Sequence, residues 1–289
     1  MSFTGSAITG SGDGAENNLS DLFTNIIAQA RFTAEEQSLM LGLVTQYNIA
    51  GQAGKTIQVP KYPAIAAADL TEGADMSSTR VNTTSVAVTV SEVGAQVLLT
   101  DLAAMGAGNP ADELGTVLGN AIATKIDKDL IALFSQFGEV AGGANADITV
   151  ADIFKAAATL RSKKVTGAMA AVVHPFQAYE LKKNLTNTFA NPNGGDLQNE
   201  AMRTGYVGTI AGVNIYESSN FTLDGNGDAL AGVFAPEALA IAMKRDFNLE
   251  VQRDASLRAN ELNATAVYGV AKLDSDFGTH ITADATTLS

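Results

Sequence analysis

From Leu114 to Phe134 an apolar residue returns at every fourth position, through Leu118, Ile122, Ile126 and Leu130. Val117, Ala121 and Ile131 widen the stripe, which is the period of an amphipathic helix. Asn109 is placed to cap the start and Pro110 suits the first turn, while Asp112 and Glu113 lie at the positive end of the helix dipole. Gly138 supplies a stop after Phe137. The spacing therefore predicts one helix from Asn109 to Phe134. At about 1.5 Å per residue it spans roughly 35–40 Å, which makes it a strut rather than a core helix. Struts point toward assembly more than toward catalysis.

The segments before the strut lack partners of their own. Residues 1–18 are rich in Gly, Ser and Asn and read as a tail. A short helix follows Ser20, and the capping box Thr33-Ala-Glu-Glu36 predicts a second carrying Leu39, Met40, Leu43 and Val44. Thr56 to Val59 alternates as a strand stopped by Pro60. Little that could form a core follows until Val86, Val88 and Val90 alternate, with Ala95, Val97 and Leu99 after Gly94. This reads as a long two-stranded excursion with a soft tip, marginal in water unless something packs on it. Thr100 or Asp101 caps a short helix before the strut.

Residues 148–248 read as a compact α/β unit. Thr149 caps a helix bearing Ile153, Phe154, Ala157 and Leu160. Ala168 to Val173 is a continuous apolar strand, and Pro175 opens a helix with Phe176, Tyr179 and Leu181. Gly-punctuated strands hold Val207, Ile210, Val213 and Ile215. Strand pattern returns in Leu249 to Gln252 and Ala264 to Leu273, and the last dozen residues read as a polar tail.

The chemical inventory is thin. There are no cysteines among the 289 residues, which excludes disulfides, thiolate metal sites and Cys nucleophiles. His174, between strand and helix, reads as a structural imidazole, and His280 as exposed near the end. No hydrolase, zincin or Walker pattern occurs. Gly10-Ser-Gly-Asp-Gly14 follows no strand and lacks a Lys, so it reads as tail rather than phosphate loop. Asp224-Gly-Asn-Gly-Asp228 begins like a calcium loop, but Ala229 and Ala235 stand where Gly and Glu are required, so it reads as a polar turn. Asp127 and Asp129, beside Lys125 and Lys128, read as surface pairing. The expectation is no catalytic residue, no cofactor site and no metal site. A net charge of −13 argues against a nucleic-acid-binding module, and no apolar run reaches the ~20 residues of a membrane span. The N-terminus has no secretory signal pattern, so a cytoplasmic site of synthesis is expected.

Taken in order, these segments resemble the major capsid proteins of tailed bacteriophages with the Hong Kong 97 fold. Gly54-Lys-Thr-Ile-Gln-Val-Pro60 looks like that family's approach to its extended loop, and Leu70-Thr-Glu72-Gly73 like the turn of the loop. Val93 to Asp101 resembles the return strand, and the strut the spine helix. Ala171-Val-Val-His-Pro175 is similar to the strand-to-helix step of the axial domain. Thr209 to Ser218 resembles a further family segment, and the run from Ala264 to Leu273 the closing strand of the peripheral domain.

The resemblance implies an α+β shell subunit with an N-terminal arm (1–50) and an extended β-loop (51–100). A peripheral domain carries the spine helix (101–147), an axial domain follows (148–248), and residues 249–289 return to the peripheral domain and a C-terminal tail. Arm and loop would lie across neighbours, with Leu70, Glu72 and Arg80 as intersubunit contacts. The implied partners are further copies in hexamers and pentamers, a portal, and separate scaffolding or decoration proteins. Packaged DNA would be held without sequence-specific contact. The implied location is the virion capsid, assembled in the host bacterial cytoplasm. A bacterial encapsulin compartment shares the fold and is the alternative. A lone α/β enzyme would need a catalytic cluster, and a secreted adhesin a signal sequence.

Overall fold

The computed structural model describes residues 38–286 apart from 64, 66, 68, 70, 71, 74, 76–79, 103–110 and 189–207. The tail with Gly10–Gly14, the helix expected after Ser20, the capping box at Thr33 that opens the second expected helix, Asn109, Pro110, most of the short helix at Asp101 and the loop residue Leu70 lie outside the described residues. By internal packing the chain divides into two units, one holding residues 94–123 and 247–266, the other 38–93, 124–246 and 267–286. Each is described separately, although four elements run through both.

The strut forms a helix, α1, Ala111–Ala132. Its fourth-residue row is buried from Leu118 through Ile122, Ile126 and Leu130 to Phe134, which burial of an apolar stripe predicts. The second row differs from expectation. Val117 is 56% exposed and Ala121 is exposed, whereas Ala123, Asp127 and Ile131 turn inward. A 3₁₀ turn, Leu133–Gln136, tightens the end, and Phe137 is already extended at φ −80° and ψ 167°. Gly138 therefore does not cap the helix but begins a strand, Gly138–Gly142.

The strands, in chain order, are β1 (Thr45–Asn48), β2 (Thr56–Lys61), β3 (Thr84–Thr89), β4 (Ser91–Thr100), β5 (Gly138–Gly142), β6 (Met169–Val173), β7 (Thr209–Ile210), β8 (Val213–Glu217), β9 (Asp228–Phe234), β10 (Leu239–Asp254), β11 (Ala259–Lys272) and β12 (Gly278–Asp284). They form a six-stranded sheet in the order β5-β12-β9-β6-β8-β7, a four-stranded sheet β1-β10-β11-β4 and the pair β2-β3. Two further helices are α2 (Val150–Ser162) and α3 (Pro175–Thr188).

In the larger unit, α2 and α3 cover one face of the six-stranded sheet. Ile153, Ala156, Ala157, Leu160, Ala178 and Leu181 meet Ala171, Val173, Val233, Ile281 and Ala283 in a dry core. Thr149 caps α2, as the sequence predicts, and the structure adds that Asp152 completes a reciprocal box. The aromatic residues of these helices stand largely in water: Phe154, Phe176 and Tyr179 are 50%, 37% and 46% exposed. Smaller Ala156 and Ala178 take the inward positions, where helix and sheet approach closely. On the opposite face Phe134 packs against Phe137, Phe221 and Phe234. Gly232 and Gly278 make room for these rings: a Cβ at Gly232 would meet Phe134 at 2.7 Å, and one at Gly278 would meet Phe137 at 2.6 Å.

This sheet extends the expected 148–248 unit in both directions, because it takes β5 and β12 from outside those bounds. The expected polar tail is instead a strand between two others, with Ile281 and Ala283 buried. The expected second N-terminal helix is replaced, within the described residues, by a 3₁₀ turn at Met40–Gly42 and by β1, which pairs in parallel with β10 from Thr45↔Ala240 to Asn48↔Met243. Residues 38–49 are thus built into the body. Strand β2 continues through Pro60 to Lys61, because a two-stranded sheet leaves one side of the strand without a ladder for the missing N–H to interrupt.

In the smaller unit, β4, β11 and the outer part of β10 bury Leu99, Phe247, Leu262, Ala264 and Ala266, and α1 contributes Leu118 and Ile122. Strand β4 runs antiparallel to β11: Gly94 lies against Ala264, while the Asp101 N–H donates to the Arg258 carbonyl at 3.0 Å.

Candidate assembly surfaces

The extended loop grows from a root that is held firmly. Strands β2 and β3 pair from Thr56↔Thr89 to Lys61↔Thr84. Their inner face, Ile57, Val59, Val88 and Val90, packs on Tyr47, Ile49, Ala242, Val267 and Ala271. The Val90 N–H donates to the Lys55 carbonyl at 2.8 Å. Around this patch Lys61 pairs with Asp274 at 2.6 Å and Arg245 with Glu92 at 2.7 Å, while Lys244 donates to the carbonyls of Gln52 and Gly54. These exposed pairs orient the root more than they stabilise it.

Beyond Lys61 the character changes. Tyr62 is 69% exposed and Ile65 61%, Val81 is exposed, and the turn at Glu72 and Gly73 has Gly73 at φ +82°. Glu72 and Arg80 are both exposed, and among the described residues neither forms an ion pair. Among the described residues Glu72 and Arg80 are brought to no common site, and Leu70 lies outside the described residues.

The residues considered for chemistry are occupied in holding the fold. His174 stands at the N-terminus of α3: its Nδ1 accepts the Phe176 N–H at 3.3 Å, and its own N–H donates to Gln177 Oε1 at 3.1 Å. Burial lowers its pKa, which favours the neutral ring that accepts this bond. Fully buried Gln177 then donates to the carbonyls of Ala229 and Ala283, at 2.9 and 2.8 Å, tying helix to sheet. His280 is half-buried rather than exposed, its Nδ1 3.1 Å from the Phe137 carbonyl. Asp224 accepts the N–H groups of Asn226 and Asp228, and buried Asp228 accepts that of Asn145, as a turn requires. No cluster of three His, Cys, Asp or Glu able to hold a metal occurs among the described residues. A hollow of about 70 Å³ beside Lys128, Ile131 and Phe221 is far smaller than the ~300–1,000 Å³ of ligand pockets.

The reading of Asp127 as a surface charge is overturned. It is 1% exposed and accepts from Ser38 Oγ at 2.8 Å, the Met40 N–H at 3.1 Å, the Leu39 N–H at 3.3 Å and Asn220 Nδ2 at 3.4 Å. Three successive residues thus deliver donors to one carboxylate, which pins the start of the described chain to α1. Asp129 does pair with Lys125, and it also accepts the Tyr268 hydroxyl at 2.8 Å. Burial and that carboxylate push the Tyr268 pKa far above its ordinary value. One signal for Asp127 was present: it interrupts the inward row Ala123–Asp127–Ile131.

A family model described as phage capsid protein matches residues 82–281, well over half of the chain. The chain belongs to the phage capsid protein family. Solved structures agree in fold. The capsid of the cyanophage P-SCSP1u matches at TM-score 0.67 and 16% identity, covering 86% of this chain and 89% of that one. The capsid of Helicobacter pylori bacteriophage KHP30 gives 0.67 and 11%, covering 86% and 91%. The native GTA particle gives 0.67 and 12%, again covering 86% and 91%. A comparison with curated protein sequences finds no match. This capsid protein therefore has the α+β Hong Kong 97 fold and is a structural subunit of a phage shell rather than an enzyme, and the family match favours that shell over an encapsulin compartment.

Proposed function

We propose that this capsid protein tiles a closed icosahedral shell of hexamers and pentamers around double-stranded DNA in the head of a tailed phage. The loop within 51–100 lies across a neighbouring copy, where Leu70, Glu72 and Arg80 make intersubunit contacts, and the N-terminal arm reaches a neighbour in the same way. Residues 148–248, with β5 and β12, take the axial role. Residues 101–137 and 249–277 take the peripheral one. A portal and separate scaffolding or decoration proteins complete the head, which assembles in the bacterial cytoplasm. With a net charge of −13, the wall faces DNA without sequence-specific contact.

The observation that carries this reading is the contrast within the loop, whose root is packed and ion-paired while its described tip residues remain in water. A loop tip that buries nothing gains little alone, but repetition over symmetry-related contacts makes small terms decisive. Replacing residues 66–80 by a short Gly-Ser turn tests it. The expected result is a soluble subunit with unchanged circular dichroism that forms no stable shells in electron micrographs. Normal shells from this variant, or collapse of the isolated subunit, would refute the assignment. Nuclease-protected DNA in particles purified from infected cells is the expected content, and a protein cargo there would contradict it.

A further inference from the structure

One pair of residues in the larger unit is chemically unstable by its composition and held still by the fold. Asn226-Gly227 lies in the exposed turn that leads into β9. In an unfolded chain the deprotonated Gly227 nitrogen can attack Cγ of the Asn226 side chain. The new N–Cγ bond closes a five-membered imide, and the side-chain nitrogen leaves as ammonia. Water then opens the imide at either carbonyl, giving aspartate or an isoaspartate whose backbone is one atom longer. Glycine favours the attack because no Cβ shields its nitrogen.

The turn withholds that nitrogen. The Gly227 N–H donates to the Asp224 carbonyl at 3.1 Å. Asp224 Oδ1 accepts the Asn226 N–H at 2.8 Å and the Asp228 N–H at 2.9 Å, so one side chain fixes the backbone on both sides of the pair. The Asp224 N–H donates to the Asp228 carbonyl at 3.0 Å, and the Ala285 N–H to the Gly227 carbonyl at 3.1 Å. The turn also demands its glycine: Gly227 has φ +86°, and a Cβ there would run into the Thr286 side chain. The reactive pair is thus built into the turn, and its safety depends on the bonds around it.

We infer that Asn226-Gly227 is a latent self-modification site, closed in the folded subunit and opened when the subunit unfolds. Attack needs the nitrogen stripped of its proton and brought against Cγ, and an error of about 1 Å in a reacting geometry is costly. Held by the Asp224 carbonyl, the nitrogen has neither freedom. The isoaspartate product does not fit the turn. A longer backbone disrupts the ring that Asp224 and Asp228 close, and the new carboxylate joins Asp224 and buried Asp228, which pairs across the strands with Asp284. A subunit that unfolds before assembly is therefore converted to a form that refolds poorly, and its unfolding becomes irreversible through chemistry. This chemistry does not depend on the shell reading.

The test incubates the full chain, folded in buffer or unfolded in urea, at one mildly alkaline pH. Digestion and mass spectrometry read a gain of about 1 Da at each converted asparagine. A second pair, Asn193-Gly194, lies outside the described residues, and its conversion in urea shows that the conditions suffice. The expected result is conversion of Asn226 in urea about tenfold or more faster than in the folded chain. Asp224→Ala, checked for fold by circular dichroism, should raise the folded-state rate several-fold. Asp224→Asn, which keeps a side-chain oxygen, should stay near the parent. Subunit refolded after long incubation in urea should be depleted in isoaspartate at residue 226, relative to the whole sample. Equal parent rates in buffer and urea would overturn the inference, as would an unreactive Asn226 in urea where Asn193 converts. A folded Asp224→Ala chain as slow as the parent would overturn the protective role of Asp224. The parent comparison decides the matter even if that variant does not fold.

Discussion

Asp127→Ala removes a carboxylate from the interior and leaves its donors behind. Two of the four lie at good distance, Ser38 Oγ at 2.8 Å and the Met40 N–H at 3.1 Å; the Leu39 N–H and Asn220 Nδ2 are at 3.3 and 3.4 Å. A hydrogen bond to a charged group contributes about 1.5–3 kcal/mol net, but the four do not sum. Ser38 is 8% exposed and Asn220 is half-buried, so water can replace the carboxylate for those two. Met40 has no exposure, and its N–H has no such recourse; leaving it unpaired costs about 1–3 kcal/mol. Relief of the carboxylate's own desolvation offsets part of the loss. The net expectation is a destabilisation of about 2–4 kcal/mol. Lys125→Ala, which breaks an exposed pair one turn away, should change stability by about 0–1 kcal/mol. Urea unfolding of the unassembled subunit, with unchanged denaturant slope, measures both. Amide exchange should accelerate at Leu39 and Met40 in the first variant only. A loss below about 1 kcal/mol for Asp127→Ala, or unaltered exchange at those amides, would refute the reasoning.

Two further perturbations test the interior of the larger unit. Gly232→Ala places a methyl 2.7 Å from the fully buried Phe134 ring, so thermal unfolding should show a loss of about 1–3 kcal/mol, partly recovered by adding Phe134→Leu. An unchanged or raised melting temperature would show that the ring yields freely. Tyr268 keeps its proton in the folded chain above the ordinary tyrosine value of 10.0, while the unfolded chain gives it up, so stability falls as pH rises past that value. Tyr268→Phe should therefore flatten the alkaline loss of stability and leave the tyrosinate absorbance of the folded chain unchanged. A smaller absorbance change in the variant would mean that Tyr268 ionises in place.

Periodicity made the strut legible because five large side chains in one row bury against the body, and the Thr149 cap announced α2 because capping is local chemistry. Strand β12 was illegible for the opposite reason. Its inward residues are Thr279, Ile281 and Ala283, only one of them a large apolar side chain, and the residues between them are His280, Thr282 and Asp284. Only pairing with β9 and β5 makes a strand of it, and neither neighbour is close in sequence. β1 was missed likewise: a capping box ahead of Leu39 argued for helix, but parallel pairing with β10 set the conformation within the body.

The candidate site was legible only as a contrast between a root rich in alternating valines and a tip poor in apolar residues. The inner anchors were not, because a carboxylate in an apolar row and a solvated one look alike in sequence until the donors arrive from elsewhere in the chain. The opposite error has a related cause. Val117 is read as part of the apolar stripe, and Phe154, Phe176 and Tyr179 are named among the apolar residues of their helices, yet all four stand substantially in water. A side chain in a shell subunit can leave water either inside its own fold or against another copy, and a one-chain reading of periodicity merges the two. The strut row is clean because it serves only the body. The helices and strand ends that mix the two uses are where pattern and structure part, and those positions are the ones to substitute when contacts between copies are mapped.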